Sequence, residues 1–170
     1  MKIHRLLWAT ALSAVAAATC LAAKPESTGP DPDVLVKNLY KAHDAEKGPF
    51  YDRKNRAALE QYFGKELAAL IRKDAVASNG EVGALEFDPL YASQDPQVTG
   101  FKIGKVNYGG VLKHEGDEPI EGLATIDVTF KDAGKPVRIG FQIEQDESKA
   151  WKIVDIHYPG GTSLSTILKG

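Results

Sequence analysis

The chain has 170 residues, 43% of them hydrophobic and 26% charged, with a formal net charge of -2, a balance that describes one globular domain. Its 21 lysines and arginines are scattered rather than clustered, whereas a nucleic-acid-binding domain shows a basic patch and a pI above about 9. We therefore exclude nucleic acid from the expected partners.

The first residues have the pattern of an export signal. Residues 2–5 carry positive charges, residues 6–18 form an apolar run, and Cys20 and Ala22 place small side chains where signal peptidase cleaves. The run is shorter than the roughly 20 apolar residues of a membrane-spanning helix, which disfavours a transmembrane anchor. We predict a signal peptide over residues 1–22 and an exported, periplasmic protein.

Cys20 allows a second interpretation of this leader. The residues before it have the outline of a bacterial lipoprotein cleavage site, in which the cysteine becomes the lipidated first residue. Such sites usually carry Leu three places before the cysteine and Gly, Ala or Ser directly before it, whereas this chain has Ala17 and Thr19 there. Lipidation at Cys20 is the alternative to a soluble protein and the only membrane attachment that we expect. Because the chain has no other cysteine, no internal disulfide supports the domain.

Two predicted helices follow a linker. Residues 23–33 hold three prolines and several polar turn formers, which predicts a flexible linker, and a single domain is expected over residues 34–170. Apolar residues at helical spacing predict a first helix that stops at Gly48. A second apolar stripe predicts one long helix from Asn55 to about Ala77.

Residues Glu81–Pro96, which we call the joining segment, connect the helical half of the chain to a strand-rich half. Its two Asp-Pro pairs are typical of turns. Five side chains are predicted to plug the sheet: Val82, Leu85, Phe87, Leu90 and Tyr91. An alternative makes the segment a rim that meets a ligand or a protein partner through four polar side chains: Glu86, Asp88, Tyr91 and Asp95. The acids lack the spacing of a helix-loop-helix calcium site, and we expect no metal and no cofactor.

The rest of the sequence has a period of two, which predicts strands. The predicted strands run over about 98–112, 124–130, 137–144 and 151–158, and a short closing helix is capped by Thr162 or Ser163. Helices followed by an antiparallel meander predict an α+β fold, in which N-terminal helices pack on a curved sheet of about four strands.

Particular residues of the joining segment and of the last strand suggest a relationship to known proteins. They are Glu81 through Leu85, Phe87 through Tyr91, Gln94, Asp95, Trp151, Ile153, Asp155, Ile156 and Tyr158. With this pattern the chain resembles the nuclear-transport-factor-two-like (cystatin-like) cone, and more narrowly a bacterial exported family described only as a domain of unknown function. The resemblance implies a cone-shaped sheet with a pocket at its open end, where related enzymes place Asp, His or Tyr. The narrower family supplies no catalytic residues to carry over.

Asp155 is the first candidate for acid–base chemistry. Trp151, Ile153, Asp155 and His157 alternate along the last strand and are predicted to share one face, so Asp155 would lie in an apolar space if that face meets the helices. Tyr40 or Tyr158 would supply the second group. The alternative is a structural carboxylate that accepts hydrogen bonds from backbone amides, or from a Lys or Arg, near the helix ends.

Two histidines and a glutamate are predicted to lie mainly on the surface. His157 lies at a strand end ahead of Pro159, which is typical of an exposed group, and a role as a catalytic base is the alternative. His43 and Glu46 lie one turn apart without the spacing of a zinc helix, and we interpret them as part of a solvated face.

The sequence contains no nucleophile elbow and no phosphate-binding glycine loop. We therefore expect a noncatalytic exported binding or interaction module of the bacterial cell envelope, with a small molecule or an envelope protein as its partner. One alternative is a small pocket enzyme, namely an isomerase, dehydratase or hydrolase. Another is an inhibitor or immunity protein against a cell-wall enzyme. The sequence leaves open whether an exposed sheet face pairs with a second copy in a homodimer.

Overall fold

A computed structural model of the protein describes residues 24–79, 81, 83–110 and 119–170. The predicted signal peptide with Cys20, and Val82 of the joining segment, lie outside the described residues. Within these residues the chain forms four helices and five strands. In chain order they are α1 (Pro32–Asp44), α2 (Arg56–Tyr62), α3 (Lys65–Ala77), β1 (Val98–Ile103), β2 (Asn107–Tyr108), β3 (Leu123–Asp132), β4 (Lys135–Gln145), β5 (Trp151–His157) and α4 (Leu164–Lys169).

The strands form one antiparallel sheet in the order β1, β3, β4, β5, and the two-residue β2 also pairs with β3. β3 and β4 pair along their whole length, from Leu123 with Glu144 to Asp132 with Lys135. Bulges in β1 and β5 shift the register, and bulges bend the strands that carry them. Helices before the sheet, antiparallel strands and a short closing helix confirm the predicted α+β class.

One face of the sheet carries the core. Its buried strand residues recur with the predicted period of two: Ala124, Ile126, Val128, Phe130, Ile139, Phe141 and Ile143. Helix α1 adds a stripe at helical spacing: Leu35, Val36, Leu39 and Tyr40. Each of these side chains is at most 4% exposed. Burying a large apolar side chain this completely stabilises the fold by about 1.5–3 kcal/mol, so the helices and the sheet hold each other in place.

The single long helix predicted after Asn55 is wrong, because the chain leaves the helical conformation between α2 and α3. Phe63 is extended, with φ -103 and ψ 149, and it forms a parallel bridge with Ile153 of β5. The Gly64 amide then donates to the Ile153 carbonyl at 2.9 Å. The Phe63 ring is also buried, at 1% exposure. The bridge to β5 and the burial of the ring together compensate for the free energy that the interrupted helix loses.

The residues predicted as a linker lie along the turn between β4 and β5. Thr28 donates from its amide to the Lys149 carbonyl at 3.3 Å and from its hydroxyl to the Ser148 carbonyl at 2.7 Å. The Gln145 side-chain amide donates to the Glu26 carbonyl at 2.6 Å. Helix α1 begins at Pro32, within the predicted linker, and proline is favoured there because the first helical amide needs no partner.

The turn between β3 and β4 provides a first prediction. Ala133 and Gly134 have φ values of 46 and 82, the left-handed pair of a two-residue hairpin turn, and alanine is strained there by about 1–2 kcal/mol. Replacing Ala133 with asparagine is expected to raise the free energy of unfolding by about 1 kcal/mol, measured by urea denaturation. Ala133→Val is the control and should lower it. An asparagine variant no more stable than the parent would contradict this turn geometry.

Candidate functional site

The joining segment contains one capped helical turn. The Asp88 carboxylate accepts from the Leu90 amide at 2.8 Å, as the residue that caps a helix does, and Pro89 occupies the first position of the turn. Ala92, with φ 52, closes it and donates to the Asp88 carbonyl at 2.8 Å. The local sequence therefore supplies both the start and the end of this turn.

Leu90 of this turn is the plug. Its side chain is fully buried, at 0% exposure, and lies in the core cluster. The Tyr40 hydroxyl donates to the Leu90 carbonyl at 2.8 Å, and the Tyr158 hydroxyl donates to the Pro89 carbonyl at 3.1 Å. The predicted plug is confirmed for Leu90, while Phe87 is half-buried with its ring 5.3 Å from that of Tyr158.

Tyr40 and Tyr158 are therefore structural groups. Burial raises the pKa of both hydroxyls, so each remains protonated and donates to a backbone carbonyl. The contacts bring the two tyrosines to the joining segment, where each satisfies an otherwise buried carbonyl. This placement leaves neither hydroxyl available as the acid or base that the sequence suggested.

The prediction that Asp155 shares a face with Trp151 and Ile153 is wrong. β5 contains a bulge, since Ile153 pairs with Ile143 and Asp155 pairs with Gln142, which leaves Val154 as the extra residue. An extra residue reverses the alternation beyond it. Trp151 and Ile153 are buried, whereas Asp155 is half-buried on the opposite face of the sheet.

Asp155 anchors the closing helix. One carboxylate oxygen accepts from the Ser163 and Ser165 hydroxyls at 2.8 and 2.7 Å, and the other accepts from the Ile156 and Ser165 amides at 2.9 and 3.0 Å. Burial alone raises the pKa of Asp155, but the bonds from Ser165, Ser163 and Ile156 outweigh it and hold the pKa below its ordinary value. This is the structural carboxylate near a helix end that the alternative interpretation described.

His43 is a residue whose role the sequence interpretation missed. It is 5% exposed, and its Nε2 lies 2.7 Å from a carboxylate oxygen of Asp88, so the predicted solvated face is wrong for His43. Its Nδ1 is buried without a hydrogen-bond partner among the described residues. Val36, Tyr40 and His43 recur at i, i+4 and i+7, and this stripe is the signal that could have placed His43 inward.

The predicted rim separates into two kinds of residue. Asp88 is bonded to His43, and the Tyr91 hydroxyl donates to the Asp44 carboxylate at 2.6 Å. Partial burial is the main cause that raises the pKa of Tyr91, and the bond to Asp44 adds to it. Glu86 and Asp95 are exposed. Two of the four predicted rim residues therefore attach the segment to helix α1, and the other two face the solvent.

The sheet face opposite the core carries a depression, which we call the outer-face cleft. It has a volume of about 530 Å³. Its polar lining comes from three strands: Thr125, Asp127, Arg138, Gln142 and His157, with Gly140 between them. Arg138 donates to Asp127 at 2.7 Å, and His157 is exposed with its Nε2 3.5 Å from the Gln142 side-chain oxygen. The buried Thr125 hydroxyl has no hydrogen-bond partner among the described residues.

Two further properties concern metals and membranes. In the part of the chain that the structure covers, no three His, Cys, Asp or Glu side chains are grouped so that they could hold a metal ion. Over the same ranges, none of the helices combines the length and the apolar character needed to cross a bilayer.

Comparisons with known proteins assign no family to the chain, since no family model and no curated protein matches it. Among solved structures, a phospholipid-binding protein from Ralstonia solanacearum, in complex with a phospholipid, is similar to it. The two share 17% sequence identity and a TM-score of 0.34, over 82% of this chain and 73% of that chain. A similarity this low carries no argument about ligand or activity.

Proposed function

We propose that the protein is an exported, noncatalytic binding module of the bacterial cell envelope that binds a small polar molecule in the outer-face cleft. The observation that carries this proposal is the contrast between two sets of polar side chains. The acid–base candidates Tyr40, Tyr158 and Asp155 are used by the fold, whereas the Gln142 side-chain oxygen and the His157 ring of the outer-face cleft keep free hydrogen-bonding capacity.

The first set argues against the small pocket enzyme. A general acid or base needs a proton that it can exchange near neutral pH and a path to a substrate. Tyr40 and Tyr158 are buried donors with raised pKa values, and Asp155 accepts four hydrogen bonds and has a lowered pKa. These groups stabilise the native fold, and none combines accessibility with a pKa near neutrality.

The second set supports ligand binding. A volume of about 530 Å³ is within the range of about 300–1,000 Å³ that is typical of small-molecule sites. Gln142 is half-buried and His157 is exposed, and their mutual distance of 3.5 Å is long for a hydrogen bond. The Gln142 side-chain nitrogen donates to the Glu144 carboxylate at 3.0 Å, so the groups left for a ligand are the Gln142 side-chain oxygen and the His157 ring.

A larger cleft, of about 800 Å³, lies at the edge of β5 beside α3. Its lining is dominated by carboxylates: Glu60, Glu66, Glu144, Asp146, Glu147 and Asp155. The Lys152 ammonium group in it donates to the Glu60 carbonyl at 2.6 Å, and Asp155 is occupied by α4. Because its central polar groups are already bonded within the protein, we favour the outer-face cleft.

The binding proposal is tested with a library of small polar compounds and the folded domain, by chemical-shift mapping and native mass spectrometry. We predict that the double variant Gln142→Ala/His157→Ala binds any hit at least tenfold more weakly, because it removes about two hydrogen bonds to the ligand. Its unfolding midpoint should change little. Glu86→Ala/Asp95→Ala removes the exposed rim acids and is the matched control. Loss of binding only in the rim variant would move the site to the joining segment, and a library without hits would count against the function.

Export is tested separately. The full chain is expressed with its own leader, and the mature protein is looked for in the periplasmic fraction. Its mass distinguishes cleavage after Ala22 from a lipid at Cys20. An unprocessed chain that stays in the cytoplasm would contradict export and leave the binding proposal intact.

A further inference from the structure

Gly140 lies where a glycine is unfavourable. It is in the interior of β4, a central strand, with Asp127 of β3 paired on one side and His157 of β5 on the other. A glycine in a strand interior weakens the sheet, because it loses more backbone entropy on folding and offers no side chain to pack. Its presence therefore needs a reason.

The fold itself does not require this glycine. A Cβ atom at Gly140 would lie 3.6 Å from the His157 Cβ and 3.7 Å from an Asp127 carboxylate oxygen, which are ordinary contacts. Gly140 is also absent from the residues with positive φ. Gly83 shows the contrasting case, since a Cβ there would lie 2.5 Å from an Asp74 oxygen.

The consequence of the missing side chain is an open floor in the outer-face cleft. Asp127 and His157 form its two sides, and Arg138 and Gln142 lie one pleat away along β4. A flat apolar surface, such as the C–H face of a ring, could lie on the Gly140 backbone while its edges reach these polar groups. A Val or Leu side chain at Gly140 would occupy that space.

The charges of the cleft favour an uncharged ligand. Arg138 and Asp127 form an ion pair at 2.7 Å and compensate each other, and His157, Gln142 and the glycine floor add polar or neutral surface. The pair is exposed to solvent, so a ligand with a single charge would gain little by replacing one of its members. A hydroxyl group can donate to the carboxylate and accept from the guanidinium, so it binds without separating them.

We infer that the outer-face cleft binds a neutral saccharide, with one face of a sugar ring on Gly140 and its hydroxyl groups on Asp127, Arg138 and Gln142. This inference rests on the proposed function and specifies its ligand class. Thr125 also lines this cleft, and its hydroxyl is buried without a partner among the described residues.

The experiment titrates the folded domain with two neutral probes, chitotriose and maltotriose, and with two charged ones, inorganic phosphate and spermidine. Two-dimensional NMR maps the site and calorimetry gives the Kd. We expect a neutral saccharide to shift the signals of Arg138, Gly140 and Gln142. Gly140→Val should weaken its binding at least tenfold, and Gly140→Ala should weaken it less, with no loss of thermal stability. Thr129→Val, on the same sheet face but outside the cleft lining, is the matched control and should bind like the parent.

Each other outcome overturns a defined part of the inference. Binding of phosphate or spermidine without saccharide binding rejects the ligand class and leaves the proposed function standing. Saccharide shifts outside the cleft, or equal binding by the parent, Gly140→Ala and Gly140→Val, reject the role of the glycine floor. If neither these probes nor the library compounds bind at the cleft, the proposed function fails as well. The alanine variant serves as the test if the valine variant does not fold.

Discussion

Replacing Leu90 with alanine is expected to lower the free energy of unfolding by about 3 kcal/mol, although the residue lies in a segment without a regular helix or strand. Its side chain is 0% exposed, and truncating such a leucine removes apolar contacts and leaves a cavity. The turn that carries it is fixed at both carbonyls, by Tyr40 and Tyr158, so it cannot easily collapse into the space. Urea denaturation followed by tryptophan fluorescence measures the change.

The matched control for this variant is Glu86→Ala in the same segment. Glu86 is exposed, and surface substitutions of this kind usually change stability by less than about 0.5 kcal/mol. If Leu90→Ala were no more destabilising than Glu86→Ala, the plug would contribute nothing to stability. A large effect for Leu90 together with unchanged binding in the outer-face cleft would separate the plug from the site.

The elements that depend on local spacing were predictable. The first helix, the strands β3, β4 and β5, and the closing helix capped by Ser163 all follow from short-range apolar periods and from capping chemistry. Leu90 was predictable as a plug for a similar reason, because an apolar side chain between two Asp-Pro turns has few other places to go.

The features that depend on contacts between distant residues were not predictable. The break at Phe63 follows from its bridge to Ile153, and the face that Asp155 occupies follows from the bulge at Val154. No local period encodes either event, and one extra residue reverses every side chain after it. The outer-face cleft also depends on contacts between distant residues, since its lining residues belong to three different strands. The single local signal for it was Gly140, a glycine inside an otherwise regular strand.

Asp155→Ala is expected to lower the free energy of unfolding by about 2 kcal/mol, a figure that already allows for the half-exposed position of the carboxylate. The substitution leaves the Ser163 and Ser165 hydroxyls and the Ile156 amide without their acceptor. Helix α4 should then separate from β5 more often than the rest of the molecule unfolds. Amide hydrogen exchange is the measurement, and loss of protection should be concentrated in α4.

The contribution of Asp155 to the free energy of unfolding should decrease at low pH. Because hydrogen bonds hold its folded pKa below the ordinary value, its contribution is complete above the unfolded pKa of about 3.9 and is lost as the pH falls through the lower folded pKa. The stability difference between the parent and Asp155→Ala should therefore be constant from neutral pH to about pH 4 and narrow below it. Asp95→Ala, at an exposed acid, is the control and should change stability little at neutral pH. A difference that stays constant below pH 3 would show that the ionised carboxylate is not what holds α4.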